Sequence, residues 1–280
     1  MYHNPHISIC MVFYNAEPYI KEAIDSALKQ SFENFEFVIV DDGSTDGSSD
    51  IVKSYTDKRI KYFKNRHNYI DSLNKACKTA TGKYIARMDA DDIMMPNRLQ
   101  AQYDFMELYP EIDICGTWAQ EFGSRTNIIR LHTEHREIAS SLLLYNTMAH
   151  PTVMLRKSTV CKDGNDLYRH GYDCAEDYKL WTELAIKGLR FANIPEVLLK
   201  YRVSESQVTS VRRKEMLQSS HKIQMEYVEL VMQQIIQQDE SYFDIFNSLI
   251  VLSNEKRIDS KQMLNIVYQL YQSQHDKKKN

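Results

Sequence analysis

The chain has no excess of charge of one sign, no long apolar run and no paired cysteines. Formal net charge is −3 over 280 residues, which excludes the basic surface of a typical nucleic-acid binder. No apolar stretch approaches the length of a membrane span. Met1-Tyr2-His3-Asn4-Pro5-His6 lacks the basic-then-apolar pattern of a secretory leader. The five cysteines (Cys10, Cys77, Cys115, Cys161, Cys174) are odd in number and scattered. They lack the close pairs of a zinc site and read as reduced thiols. A soluble, cytoplasmic protein is expected. Glycine is missing from the first strand-to-helix turn, Phe13-Tyr14-Asn15-Ala16-Glu17, so the backbone there cannot approach a pyrophosphate as a dinucleotide-binding turn does.

What the chain does have is alternation. Ile7–Phe13, Phe35–Val40, Arg59–Lys64 and Lys83–Met88 are strand-like runs. Between them lie helical patterns over 18–30, 48–55 and 70–79. Ile20, Ala23, Ile24, Ala27 and Leu28 mark the apolar face of the first, with Pro18 suited to its first turn. Strand and helix in turn, joined by short loops, predict a parallel sheet with right-handed crossovers.

Ligands of such sheets bind beyond the carboxyl ends of the strands. Three of those ends carry unusual cargo: Tyr14-Asn15, Asp41-Asp42 and Asp89/Asp91/Asp92. They are expected to converge on one crevice. Three carboxylates within four residues repel one another, more strongly as water is excluded. Oxygen donors without Cys or His point to Mg²⁺ or Mn²⁺ shared with substrate phosphates. The same acids also suit a solvated loop capping the helix that starts near Asn97. A ring, a carboxylate pair and a metal-type cluster together suit a nucleotide diphosphate.

Taken in order, Val12-Phe13-Tyr14-Asn15-Ala16-Glu17, Asp41-Asp42-Gly43-Ser44-Thr45-Asp46-Gly47 and Arg87-Met88-Asp89-Ala90-Asp91-Asp92 resemble the family 2 glycosyltransferases. These have the GT-A fold, an α/β architecture with a mostly parallel central sheet, flanking helices and a Rossmann-like nucleotide-binding half. The resemblance covers roughly residues 6–205. It implies an inverting transferase that uses a UDP-sugar donor with Mn²⁺ or Mg²⁺. It places Tyr14 near the uracil, Asp42 as acceptor of the uracil imide N–H, and Asp89 near the ribose and metal. Asp91 becomes the metal ligand and Asp92 is oriented to the donor sugar. Val12, Asn15, Glu17 and Ala90 complete the implied nucleotide-sugar cradle. Two departures stand out: Val12-Phe13 replaces the family's frequent Pro-Thr or Pro-Ser, and Asn68-Tyr69-Ile70 replaces Asn-x-Gly.

Further on, a helix is expected from Pro96-Asn97-Arg98 to Leu108, ended by Pro110. A strand follows at Ile112–Trp118, then a helix at Glu134–Tyr145. His150, ahead of Pro151, reads either as a rim histidine bonded to a loop carbonyl or as a donor to diphosphate or acceptor. Glu176-Asp177 open a helix whose apolar face includes Leu180, Trp181, Leu184 and Ala185. There they favour the helix dipole or supply a base for the attacking hydroxyl. The resemblance selects Asp177 as base and Glu176 as its orienter. Phe191–Ile194 and Val197–Arg202 are read as two strands. Arg202 offers either a fork to phosphate oxygens or an ordinary surface ion pair. Ser204 stands where the family often has a histidine.

These signals divide the chain into a catalytic domain at 1–208 and a helical extension at 209–280. Within the first, 1–95 is expected to hold the donor and 96–208 the acceptor. The stripe Ile223, Tyr227, Leu230, Val231, Ile235, Ile236 is expected to pack on the catalytic domain or on a twin subunit. Arg212-Arg213-Lys214 and Lys277-Lys278-Lys279 offer a second reading, peripheral contact with anionic lipid on the inner face of the plasma membrane. Residues 272–280 are expected to be disordered. The function expected is transfer of a hexose or N-acetylhexosamine to a growing, lipid-linked bacterial surface glycan such as lipopolysaccharide, capsule or exopolysaccharide. A sugar-nucleotide pyrophosphorylase would want a Gly- and Arg-rich loop after the first strand, and a phosphatase would place its Asp motif near the chain start. A non-catalytic glycan-binding subunit of the same fold is the rival outside enzymology.

Overall fold

The computed structural model describes residues 5–162, 164–204 and 211–277, with side chains to residue 273. One sheet runs through residues 7–203. Its strands are β1 (Ile7–Phe13), β2 (Phe35–Asp41), β3 (Ile60–Lys64), β4 (Tyr84–Asp89), β5 (Ile93–Met94), β6 (Ile114–Gly123), β7 (Ile128–Ile129), β8 (Met154–Arg156) and β9 (Phe191–Val203). The order across the sheet is β3-β2-β1-β4-β8-β6-β9-β5, with β7 on β6. The first half is parallel throughout, as its alternation predicts. The second half is mixed: β6 and β9 are parallel, whereas β8 pairs antiparallel with both β4 and β6.

Period-two alternation along β1 builds two cores. Cys10 and Val12 face Leu73, Ile85, Trp181 and Tyr227, while Ile9, Met11 and Phe13 face Ile24, Phe37 and Leu99. Helices α1 (Ile20–Leu28), α2 (Ser48–Lys53) and α4 (Arg98–Leu108) cover the second face. On the first lie α3 (Tyr69–Thr79), α5 (His135–Ser141), the short α6 (Lys157–Val160) and α7 (Glu176–Ile186). The same face takes α8 (Arg213–Gln238), α9 (Tyr242–Asn254) and α10 (Ser260–Lys277). Among the described residues no helix is long and apolar enough to cross a membrane.

Several expectations are corrected. Phe191–Ile194 and Val197–Arg202 are one strand, not two. Pro195 has no N–H to give the ladder, and the register against β6 shifts on both sides of Trp118 to absorb it. The helix expected over 134–145 stops at Ser141. Residues 272–277 are helical rather than disordered, and Gln272 accepts a 2.7 Å hydrogen bond from Arg136 Nε. The Lys277–Lys279 basic cluster lies outside the residues whose side chains are described. The stripe on α8 packs inward on the catalytic region: Ile223, Tyr227, Val231 and Ile235 are buried, and Tyr227 donates to the Ala139 carbonyl at 3.1 Å.

Gly82, just before β4, sits against β1. A Cβ there would lie 2.7 Å from the Ser8 nitrogen and 2.8 Å from the Ile7 carbonyl carbon. Gly82→Ala therefore forces two backbones apart, at a cost of about 1–3 kcal/mol. A urea titration should show a lower midpoint at unchanged slope.

Candidate functional site

Register is what assembles the site. Phe13 pairs with Asp41 and Val12 with Asp89, so the carboxyl ends of β1, β2 and β4 finish at one rim. β1 lies between the other two, where the connections turn to opposite sides of the sheet.

The loops after β1 and β2 are laced together. Asn15 adopts φ 49°, a left-handed conformation that Asn tolerates. Its carboxamide oxygen accepts from the Thr45 amide at 2.9 Å, and its own amide donates to Ser44 Oγ at 3.0 Å. Glu17 accepts from the Gly47 amide at 2.9 Å. Asn15 and Glu17, expected in the nucleotide-sugar cradle, thus use these oxygens on the neighbouring loop. Asp41 is structural as well, accepting from the Ser44 amide, Ser49 Oγ and Tyr62 Oη. Val12 and Ala90 are buried apolar side chains, leaving only their backbone to meet a ligand.

Above this lattice, Tyr14 is 46% exposed and stacks on His67 with ring centroids 4.1 Å apart. Asp42 lies buried beneath. Its Oδ1 accepts from the Asn68 amide at 2.8 Å and Ser72 Oγ at 2.6 Å. His67 Nδ1 lies 3.0 Å from the Asp42 carbonyl oxygen and 2.9 Å from its Oδ2, so the ring caps the buried carboxylate.

The acid loop follows β4. Arg87, buried within the strand, reaches Asp89 at 2.5 Å and Tyr69 Oη at 2.9 Å. Burial, and then the Asp89 charge, push the Asp91 carboxyl up to about 6. Asp92 is buried too, and burial with the Asp89 and Asp91 charges raises it well above the ordinary range. One Asp92 oxygen accepts from the Arg202 amide at 2.8 Å, and the other has no partner. Arg202 holds the loop rather than facing outward. Its Nε donates to the Asp91 carbonyl at 2.8 Å, it pairs with Glu22 at 2.6 Å, and its guanidinium lies over Tyr19 and Phe122.

Across the crevice, α7 begins with Glu176 and Asp177 in its first turn. Burial, then the Asp177 charge, push Glu176 up to about 7. Burial also raises Asp177, against the opposing pull of Asn146, whose Nδ2 donates to Oδ2 at 2.8 Å. Both carboxyls feel the charge of Asp89, which brings the start of α7 into electrostatic reach of the end of β4. His150 fits neither sequence reading: it is buried, bonded through Nε2 to Tyr168 Oη at 2.8 Å, and edge-on to Trp181. Burial lowers its pKa well below the usual value, so it stays neutral.

A divalent cation suits the acid loop. The donors are oxygens only, Asp91 and Asp92 are raised by burial and then by like charge, and one buried Asp92 oxygen is unpartnered. Among the described residues no group of three His, Cys, Asp or Glu side chains could hold a metal alone.

Arg87, His67, Tyr69 and Asn146 join the site without having been singled out in the sequence. Arg87 had a signal: a charge inside an otherwise apolar strand needs a partner. Asn146 had none, being an exposed residue in a loop far along the chain.

Comparison with known proteins agrees with this geometry. The family profile described as "Glycosyl transferase family 2" matches residues 8–171. An uncharacterized glycosyltransferase of Haemophilus influenzae is 32% identical over 285 residues, covering 96% of this chain and 86% of that protein. The Escherichia coli protein named UDP-Glc:alpha-D-GlcNAc-diphosphoundecaprenol beta-1,3-glucosyltransferase WfaP is 30% identical over 219 residues, covering 77% of this chain and 84% of its own. Among solved structures, S. aureus TarS 1-349 in complex with UDP-GlcNAc superposes with a TM-score of 0.66 at 20% identity. That superposition covers 81% of this chain and 66% of the TarS chain.

The Asn146 hydrogen bond favours the charged form of Asp177, so removing it disfavours that form. In Asn146→Ala the Asp177 carboxyl should titrate at higher pH than in wild type, read by carboxyl-carbon NMR.

Proposed function

The chain belongs to glycosyl transferase family 2 and has the GT-A fold, and from that premise we propose that it moves a hexose or N-acetylhexosamine from a UDP-sugar, with inversion, to a hydroxyl of a growing surface glycan. One observation carries the reading: Asp177, held by Asn146 at 2.8 Å in the first turn of α7, stands close enough to Asp89 to feel its charge. The name of the E. coli relative, a UDP-glucose enzyme acting on a diphosphoundecaprenol-linked sugar, supports both the donor class and a lipid-linked acceptor.

The residues divide the work. The Tyr14–His67 stack offers a face to the uracil, and the Asp42 carboxylate, capped by His67, accepts its imide N–H. Asp89, held by Arg87, is placed for the ribose hydroxyls. Asp91, with Asp89 beside it, would hold Mn²⁺ or Mg²⁺, and a bound ion neutralises the departing diphosphate. Asp177 takes the proton of the acceptor hydroxyl as its oxygen attacks the anomeric carbon from the side opposite UDP. The bond to the diphosphate breaks with its electron pair leaving on UDP. Glu176, near its midpoint at neutral pH, keeps a second full charge from crowding Asp177.

Asp91→Ala should abolish transfer and weaken UDP binding in Mn²⁺, measured by calorimetry and by UDP release. Asp177→Asn should retain UDP affinity while turnover falls about 10²–10⁴-fold, the usual worth of a general base. Equal turnover of Asp177→Asn and wild type would remove the residue from the mechanism. Because burial raises the Asp177 pKa, the base is lost on acidification earlier than an ordinary aspartate would be. The acid limb of kcat/KM should therefore lie above pH 3.8, the ordinary Asp value.

A further inference from the structure

Beside the crevice, on the acceptor side, lies an open groove of about 360 Å³. Trp118 and Tyr145 give it aromatic walls, and Arg130, His132, Glu137 and Thr147 give it polar ones. Resting on the transferase reading above, we propose that this groove binds the acceptor glycan, seating the sugar unit behind the one whose hydroxyl attacks the donor.

Three observations lead there. First, Trp118 is aimed by a structural irregularity. The β6–β9 register shifts on both sides of it, opposite the Pro195 break, and such bulges redirect side chains. Its Nε1 donates to the Leu131 carbonyl at 3.0 Å, which fixes the indole while leaving it only half-buried. Second, the polar groups are ordered around the rings. His132 Nε2 lies 3.2 Å from Tyr145 Oη and its Nδ1 lies 3.5 Å from Glu137, while the Arg130 guanidinium stands 5.6 Å from the Trp118 ring centroid. Third, the groove adjoins the base through the chain itself. Tyr145 and Thr147 line it, and Asn146 between them holds Asp177.

A pyranose has apolar C–H faces and hydroxyls around its edge. Flat aromatic surfaces with a few donors and acceptors at the rim match that chemistry. The wall is too polar for an acyl chain. With Glu137 set beside Arg130 and His132, it also lacks the basic excess that a diphosphate would want.

The test uses octyl glycosides of single sugars and of disaccharides, ending in glucose, galactose, N-acetylglucosamine or N-acetylgalactosamine. They are offered with whichever UDP-sugar wild type consumes fastest. For wild type, the best disaccharide should exceed its matching monosaccharide in kcat/KM by about tenfold, equivalent to one good stacking contact. Trp118→Ala and Tyr145→Ala should erase that ratio, and Trp118→Phe, which restores a ring, should recover most of it. Trp181 is fully buried, so quenching of tryptophan emission by the disaccharide should report Trp118 and vanish in Trp118→Phe. No disaccharide advantage in wild type, or an advantage that survives both alanine variants, overturns the proposal. Emission quenching without UDP release from any donor would instead overturn the transferase reading and leave a glycan-binding groove.

Discussion

Like charge crowded at the ends of parallel strands is the constraint that the rest of this molecule answers. The register that joins β1 to β2 and β4 leaves no choice about where Asp42 and Asp89 finish, and Asp91 and Asp92 follow within one turn. Three arginines respond. Arg87 neutralises Asp89 from inside the strand. Arg98, fully buried, donates to the Arg87 carbonyl at 2.8 Å and feels the charge of Asp92. Arg202 grips the loop backbone. The response is incomplete, because Asp91 and Asp92 remain raised. Buried acids left in that state suit a ligand that brings positive charge, as the proposed function requires.

The lacing of the first two loops solves a different problem. A turn without glycine after β1 has to find an unusual backbone conformation elsewhere, and Asn15 provides it. Gly47 then lets the two loops close: a Cβ there would sit 2.6 Å from Glu17 Oε1. The exposed Tyr14 is therefore presented from a rigid base rather than from a mobile tip. A ring positioned in advance loses less freedom when a nucleotide base packs on it.

The first half of the fold was legible because its signals are local. Apolar strands ending in Asp, helical spacing between them and turn residues at the junctions all agree, and consistent local signals specify one topology. The second half was less so. β8 is three residues long and antiparallel, and β9 runs through a proline that sequence reasoning takes as a break. Both are set by partners distant in sequence, which no window of the chain contains. The site divides the same way. The acids after β2 and β4 announce themselves. In contrast, the burial of His150 against Tyr168 and the inward turn of Arg202 depend on packing that only the assembled molecule reveals.

The helical extension enters this logic through α7. Lys179, two residues past Asp177, pairs with Glu226 of α8 at 2.8 Å, and Tyr172 donates to the same carboxylate. Gln234 donates to the Ile186 carbonyl at 2.9 Å, at the other end of α7. Buried Tyr227 and Val231 complete the contact. The helix that carries Asp177 is thus held between the sheet and α8, gripped at both ends. An error of about 1 Å in a reacting group can cost on the order of 10²-fold in rate. A helix packed on only one side would be poorly suited to holding that tolerance, so α8 is the outer half of the mould that the proposed role of Asp177 calls for.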